Sequence, residues 1–135
     1  MSGAGKRAVL LFAHGARDPR WAVPFEAVAR RVAEADPSLA VRLAYLEFMQ
    51  PSLRDAGDAL AAEGCTQVDV VPLFLGAGGH VRKDLPVLLA ELSQRHAGVD
   101  WRLQRAIGET ASVIDAMADA AIALTRTTAS QVGDT

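Results

Sequence analysis

Four short apolar runs alternate with four amphipathic stretches along this 135-residue chain, and the alternation limits its fold more than any other feature. The runs lie at 8–13, 40–46, 68–75 and 101–103, and a pattern with apolar residues every three or four positions follows each one. Strands that alternate with helices form a parallel sheet through right-handed crossovers. The sequence therefore predicts an α/β fold, a three-layer sandwich with one four-stranded parallel sheet and helices on both faces.

The composition of the four runs predicts their order in the sheet. The first and third are mostly apolar, which is typical of strands covered on both faces, whereas the second and fourth alternate apolar and polar residues like edge strands. The simplest order is 2-1-3-4, with a topological switch between strands one and three. We expect Pro72 near the end of strand three, because proline cannot donate to a ladder.

The helical stretches predict one domain over residues 1–124. The first helix is expected after Asp18-Pro19 and the second from Pro51, while the third is predicted over Arg82–His96 and the fourth from about Glu109 to Leu124. Residues 125–135 are polar and unpatterned, so we expect a disordered tail there.

Charge and cysteine content limit the classes of function. The formal net charge of −2 offers no broad basic field, which argues against nonspecific binding of nucleic acid or anionic membranes. The single cysteine, Cys65, suits a reducing compartment and is expected to be a small buried residue. No apolar segment approaches the roughly 18 residues of a membrane span, so we expect a cytoplasmic protein.

Two of the three histidines follow the strands predicted to flank the switch. His14 comes after strand one and His80 after strand three, and loops at the carboxyl ends of such strands face a common crevice. Imidazole binds divalent metals such as Co²⁺, Fe²⁺ or Ni²⁺ and accepts a proton near pH 7. One loop histidine is usually only a polar surface residue, but this pair favours a site. His96, in a polar helix end, is expected to have no such role.

Glu47 follows strand two and adds a carboxylate at the same edge of the sheet. A set of His14, Glu47 and His80 could hold a metal weakly or move protons, although it lacks the tight local spacing of a metal motif such as HExxH. The alternative for Glu47 is a solvated loop carboxylate.

Basic residues and glycines surround both histidine positions. Cations at helix N-termini oppose the helix dipole, so an anionic ligand would explain them better than ordinary solvated helix starts, which remain the alternative. Small residues next to His80 would let the backbone approach that ligand closely, but they form neither a dinucleotide-binding nor a P-loop motif. The basic residues are Arg17, Arg20, Arg82 and Lys83, and the small residues are Gly76, Ala77, Gly78 and Gly79.

Two motifs, His14–Pro19 and Val71–Asp84, carry a resemblance to a known family. Over roughly residues 8–124 the chain resembles a short CbiX-type member of the class II tetrapyrrole chelatases, the group of sirohydrochlorin cobaltochelatases and ferrochelatases. Ala16 and Gly76 stand where many relatives carry serine, and each removes a possible hydroxyl donor without changing a candidate ligand.

The resemblance implies insertion of a divalent metal, Co²⁺ first, into sirohydrochlorin without ATP, for cobalamin or sirohaem synthesis. It implies that His14, His80 and Glu47 are catalytic and that the two histidines can bind the metal. The carboxylate-rich tetrapyrrole would be held by Arg17, Arg82, Lys83 and the 76–79 turn. No permanently bound cofactor is expected, since the metal is a substrate.

The resemblance also implies a homodimer, because other members carry two such domains in one chain. Three alternatives stay open. One is an iron or nickel chelatase on the same substrate, and another is a noncatalytic carrier of metal or tetrapyrrole. The third, a flavodoxin-like FMN protein, is weakened by the lack of a phosphate loop rich in Ser and Thr after strand one.

Overall fold

The computed structural model describes residues 5–76 and 78–131, with backbone alone for His80 and for residues 127–131. Its strands and helices alternate as predicted. The strands are β1 (Lys6–Ala13), β2 (Ala40–Tyr45), β3 (Cys65–Pro72) and β4 (Asp100–Leu103). The helices are α1 (Val23–Ala35), α2 (Leu53–Ala62), α3 (Gly79–Arg95) and α4 (Ala111–Gln131), with 3₁₀ turns at Pro19–Ala22 and Ile107–Glu109.

The four strands form one parallel sheet in the order β2-β1-β3-β4, which confirms the predicted topology. In the register, Leu10 of β1 lies between Arg42 of β2 and Val70 of β3. β1 and β3 are thus the interior strands. Their carboxyl ends lie side by side, as the switch point between them requires.

One face of the sheet carries the main core. Alternate residues of β1 and β3 point to this face, where α2 and α3 cover them. Burying a large aliphatic side chain stabilises a fold by about 1.5–3 kcal/mol, so this layer supplies much of the driving force. Its fully buried side chains include Leu10, Phe12, Leu60, Val68, Val70 and Leu92, and Cys65 is buried beside them as expected.

The opposite face of the sheet is only partly covered. Val9, Leu11, Val71 and Leu73 line an apolar cavity of about 620 Å³ on this face. Three of them, Val9, Val71 and Leu73, stay partly exposed although they belong to or follow interior strands. We call this cavity the α1 groove, because α1 forms one of its walls.

The α1 wall of the groove comes from Phe25, Val28 and Val32, which recur at helical spacing along α1. Helix α4 begins near the groove, where Val113 contributes to the lining, but its later side chains are exposed as far as Arg126. Helices therefore lie on both sides of the sheet, while α4 covers little of it. No helix among the described residues is long and apolar enough to cross a membrane.

The third strand and third helix are displaced from their predicted limits. β3 ends at Pro72, and the chain then leaves the ladder through a bond from the Leu73 amide to the Phe12 carbonyl (2.7 Å). Helix α3 begins at Gly79, because Val81, one helical turn before buried Leu85, packs on the core. His80 consequently lies in the first turn of a helix, and the prediction that it lies in a loop was wrong.

The last helix continues beyond Leu124, its predicted end, to Gln131. The predicted disordered tail is therefore helical over residues 125–131, while residues 132–135 lie outside the described part of the chain. The physical reason is that no glycine or proline occurs between Leu124 and Gln131 to end the helix.

An ion-pair cluster ties α2 to the end of α3. Asp58 binds His96 Nε2 through Oδ1 (2.6 Å) and accepts from Arg95 Nη2 through Oδ2 (2.6 Å). These hydrogen bonds, first that of His96 and then that of Arg95, lower the pKa of the Asp58 carboxyl. His96 thus has a structural partner in Asp58.

Replacing Asp58 with asparagine should lower the free energy of unfolding by roughly 1 kcal/mol at pH 7. A carboxyl whose pKa is lower in the folded state stabilises the fold above its unfolded pKa of about 4, and this contribution is lost as pH falls through the folded pKa. Urea unfolding at pH 7 and pH 3 should therefore show the difference shrinking at the lower pH. Asp100→Asn, in an exposed pair with Arg102, is the control and should change little. A difference of equal size at both pH values would contradict the role of the Asp58 charge.

Candidate functional site

His14 follows β1 directly at the carboxyl edge of the sheet. Ala13 before it is fully buried, whereas His14 is exposed. The pairing between the first two strands continues past β2, since the Leu46 amide donates to the Ala13 carbonyl (2.9 Å) and the Glu47 amide to the His14 carbonyl (3.0 Å). The structure therefore brings the backbones of His14 and Glu47 together, and the Glu47 side chain is exposed at the same edge.

The imidazole of His14 rests on the ring of Phe74. Their ring centroids are 4.3 Å apart, with an angle of 32° between the planes. Phe74 is only 3% exposed, and its carbonyl accepts a hydrogen bond from the Gly108 amide (2.9 Å). The exposed imidazole thus has a buried, anchored support, and Phe74 joins the loop after β1 to the loop after β3.

Gly15 permits the close contact between the loops that follow β1 and β2. Its φ of 89° lies in the left-handed region, which residues with a Cβ adopt only at a cost in conformational energy. A Cβ built there would also overlap the carbonyl oxygen of Glu47. Only glycine fits, and the turn that aims His14 out of the sheet depends on it.

Arg17 lies over the ring of Phe48, with its Cζ 4.6 Å from the ring centroid. Phe48 belongs to the loop after β2 and has a φ of 66°, a strained value for an aromatic residue. This cation–π contact places an exposed guanidinium beside His14 and Glu47. Arg20, by contrast, donates to both carboxylate oxygens of Asp18, so its charge is locally compensated.

The turn between β3 and α3 is open on its outer side. A Cβ added at Gly76, Gly78 or Gly79 would meet no atom within 4 Å. Space for a ligand therefore exists at all three glycines, while Ala77 lies outside the described residues. Gly78 caps α3, and its carbonyl accepts from the Arg82 amide (2.9 Å).

The basic pair of α3 lies within one helical turn of His80. Arg82 and Lys83 are both exposed on the helix that begins at the turn. The backbone of His80 lies in the first turn of α3, but its side chain falls outside what the structure describes. That the imidazole rings of His14 and His80 face the same crevice therefore stays a prediction.

A second cavity, of about 190 Å³, lies between α3 and the segment after β4. Arg82 lines it together with Gln104, Arg105 and Glu109, which the sequence interpretation did not single out. Gln104 is held by Asp69 Oδ1 (2.8 Å), and Arg105 donates to the Glu109 carbonyl (3.0 Å). Arg105 follows the fourth strand as His14 follows the first. The rule that places site residues after the carboxyl ends of strands would therefore have selected Arg105 as well.

Within the described side chains, no three His, Cys, Asp or Glu residues are grouped closely enough to hold a metal ion. The geometry offers His14 as an exposed imidazole whose backbone is bonded to that of Glu47, with the Arg17 guanidinium on the ring of the neighbouring Phe48. Such a set can accept protons, donate a single metal ligand and bind carboxylates.

The chain that carries these loops matches a known protein family. The CbiX family model matches residues 8–123, nearly the whole of the described fold. The chain belongs to the CbiX family. The predicted resemblance is thereby confirmed.

Three curated relatives of this CbiX-family chain are named sirohydrochlorin chelatases. The cobaltochelatase of Sulfurisphaera tokodaii is 31% identical over 75% of this chain and 88% of its own length. That of Priestia megaterium is 30% identical over 80% of this chain but only 35% of its own length. The chloroplastic ferrochelatase of Arabidopsis thaliana is 25% identical over 82% of this chain and 49% of its own. The chain thus spans about a third to a half of the longer relatives.

A solved structure has the same fold. The crystal structure of a protein described as a cobalamin-biosynthesis CbiX protein, from Marinobacter aquaeolei VT8, superimposes with a TM-score of 0.78 and 36% identity. The match covers 90% of this chain and 98% of that one. The four-stranded CbiX fold is therefore shared over nearly the full length of both chains.

Proposed function

We propose that this CbiX-family chain is an ATP-independent chelatase that inserts Co²⁺ into sirohydrochlorin, in cobalamin or sirohaem biosynthesis. The observation that carries the proposal is the exposed imidazole of His14, which stacks on buried Phe74 beside Glu47. The names of the relatives support the same substrate.

The reaction exchanges two protons for one metal ion. The free tetrapyrrole loses two pyrrole N–H protons as the divalent ion enters, so an acceptor must lie beside the ring. His14 would accept a proton or bind the incoming ion, and His80 would do the same from α3. The Glu47 carboxylate would relay protons away from the ring or share in holding the ion.

Substrate capture would use the basic groups around the crevice. Sirohydrochlorin carries carboxylates on its rim, and guanidinium groups bind carboxylates in a bidentate manner. Arg17, Arg82 and Lys83 are exposed at this edge, and Arg105 adds a fourth cation at the smaller cavity. The open space beside Gly76, Gly78 and Gly79 would leave room for the macrocycle edge.

The metal is a substrate in this proposal, and no resident cofactor is needed for the chemistry. Co²⁺ is proposed because the relatives from Sulfurisphaera and Priestia are cobaltochelatases. Iron is the second candidate, because the Arabidopsis relative is a ferrochelatase, and nickel is a further alternative. A cytoplasmic homodimer remains our expectation for the working form.

Visible absorption spectra of sirohydrochlorin mixed with Co²⁺ would test the proposal. We expect the purified chain to accelerate the conversion to the metallated spectrum above the rate without enzyme. Parallel assays with Fe²⁺ and Ni²⁺ would give the preferred ion. Rates equal to the uncatalysed control with all three ions would overturn the chelatase, and stoichiometric binding without turnover would identify a carrier instead.

A further inference from the structure

The smaller cavity, between α3 and the segment after β4, combines an apolar floor with charged walls. We call it the β4 cavity. Its floor includes Pro72, Leu85 and Ala106, all of which are buried. Arg82 lines it from α3 and Arg105 from the segment after β4. An anionic group between these two cations would interact favourably with both of them.

Contacts with Glu109 hold the Arg105 guanidinium without using all of its donors. Nη2 donates to the Glu109 carbonyl (3.0 Å), whereas Nε lies 4.0 Å from the carboxylate oxygen Oε1, which is longer than a hydrogen bond. A guanidinium has more N–H donors than these contacts use, and the Arg105 side chain is 73% exposed. Arg105 is therefore positioned at the cavity with donors available for another acceptor.

The size of the β4 cavity limits what it can hold. Its volume is about 190 Å³, whereas a pocket that encloses a whole drug-sized ligand measures about 300–1,000 Å³. The cavity is thus suited to one arm of a larger molecule. An apolar floor matches the methylene groups of such an arm, and the arginines match a carboxylate at its end.

The β4 cavity and His14 lie on opposite sides of the end of β3. Pro72 ends β3 and lines the cavity, and Phe74, two residues later, supports the His14 imidazole. The loops after β1 and β4 are separated by two strand spacings, about 10 Å, because β3 lies between these strands. A macrocycle placed over His14 could therefore extend an arm from its rim into the cavity.

We propose that the β4 cavity binds one carboxylate arm of the tetrapyrrole between Arg82 and Arg105. Arg105 is then a substrate-binding residue that orients the ring over His14, and the Glu109 carboxylate competes with the arm for the same guanidinium. The identity of the ligand rests on the proposed function. A free anion such as phosphate shares this chemistry, so the experiments must distinguish the two.

Equilibrium binding of metal-free sirohydrochlorin, followed by its visible absorption, is the first test. Arg105→Gln should raise Kd roughly 10- to 100-fold, the scale of a lost hydrogen bond to a charged group. Arg105→Lys keeps the charge but loses the planar fork, so its Kd should lie between those of the parent and Arg105→Gln.

Arg102→Gln is the matched control for Arg105→Gln. It removes the same charge from an exposed arginine of β4 that pairs with Asp100 and does not line the cavity. Its Kd should equal that of the parent, and circular dichroism should show that each variant is folded. Equal Kd values for Arg105→Gln and Arg102→Gln would overturn the proposal.

Glu109→Gln separates competition from a purely structural ion pair. Removing the competing carboxylate should lower Kd for sirohydrochlorin, because the Arg105 guanidinium then has no anionic neighbour to give up. A pair that only stabilises the turn predicts no such gain. An unchanged or higher Kd in Glu109→Gln would contradict the proposed competition for Arg105.

The same assay distinguishes this inference from the chelatase reaction and from a free-anion site. Binding is measured without metal, so a Kd raised by Arg105→Gln supports the arm site even if no metal is inserted. Normal metal insertion with an unchanged Kd would overturn the arm site and leave the chelatase. Inorganic phosphate, titrated at constant ionic strength, should compete with sirohydrochlorin in the parent and much less in Arg105→Gln. If Arg105→Gln abolishes phosphate binding but leaves the Kd for sirohydrochlorin unchanged, the cavity binds a free anion and the proposal is wrong.

Discussion

Replacing His14 with alanine should lower kcat for metal insertion by about 10²-fold or more, the scale expected when a positioned base is removed. The imidazole is exposed and contacts Phe74 only through ring stacking, so its loss should leave the fold intact. His80→Ala should have an effect of similar size if both rings act on the same pyrrole protons. Steady-state kinetics with Co²⁺ and sirohydrochlorin, together with circular dichroism, would measure both.

Two further variants separate chemistry from packing and from substrate capture. His14→Phe keeps a ring on Phe74 but cannot accept a proton or bind a metal, so its kcat should fall as far as that of His14→Ala. Lys83→Ala should instead raise KM, and added salt should reproduce that change because an exposed charge is screened over about 8 Å at physiological ionic strength. A normal kcat in both His14→Ala and His80→Ala would remove the histidines from the mechanism. The search would then move to Glu47 and the glycine turn.

Gly15→Ala should destabilise the fold by about 2–5 kcal/mol and disturb the candidate site. The left-handed backbone costs a residue with a Cβ about 1–2 kcal/mol, and overpacking against the Glu47 carbonyl adds about 1–3 kcal/mol. Because a backbone oxygen is the obstacle, the loop after β2 must move, and the relation between His14 and Glu47 moves with it. Urea unfolding and the insertion assay should both register the change.

Gly64→Ala is the matched control for this change. Gly64 has nearly the same φ, 92°, but a Cβ there would meet no atom within 4 Å. Its substitution should cost only the backbone preference, about 1–2 kcal/mol, with normal kcat. Equal losses of stability in the two variants would show that the contact between Gly15 and Glu47 is unimportant.

The sheet could be predicted because its information is local. The unbroken apolar run before His14 and the alternating run before Glu47 distinguish an interior strand from an edge strand, and this distinction selected the strand order. Placing His14 at the carboxyl edge then followed from topology alone. The same rule would have indicated Arg105, two residues after the end of β4.

The support of the site could not be predicted, because it depends on contacts between distant segments. The residues around Phe74 contain no pattern that predicts the contact of its ring with His14. Glycine is required at position 15 only because the loop after β2 approaches it. The start of α3 was missed for a different reason. Glycines at 78 and 79 are compatible with either a loop or a helix start, and the contact of Val81 with the core decides between them.

The short turn at Ile107–Glu109 joins two parts of the molecule that the chain order separates. Its Gly108 amide holds Phe74, whose ring supports His14, and a Cβ on Gly108 would overlap the Leu75 backbone. Two residues later, the same turn leads into α4. A displacement at the start of α4 would therefore be passed to the His14 imidazole through Gly108 and Phe74, so the position of the last helix and the support of that ring are mechanically linked.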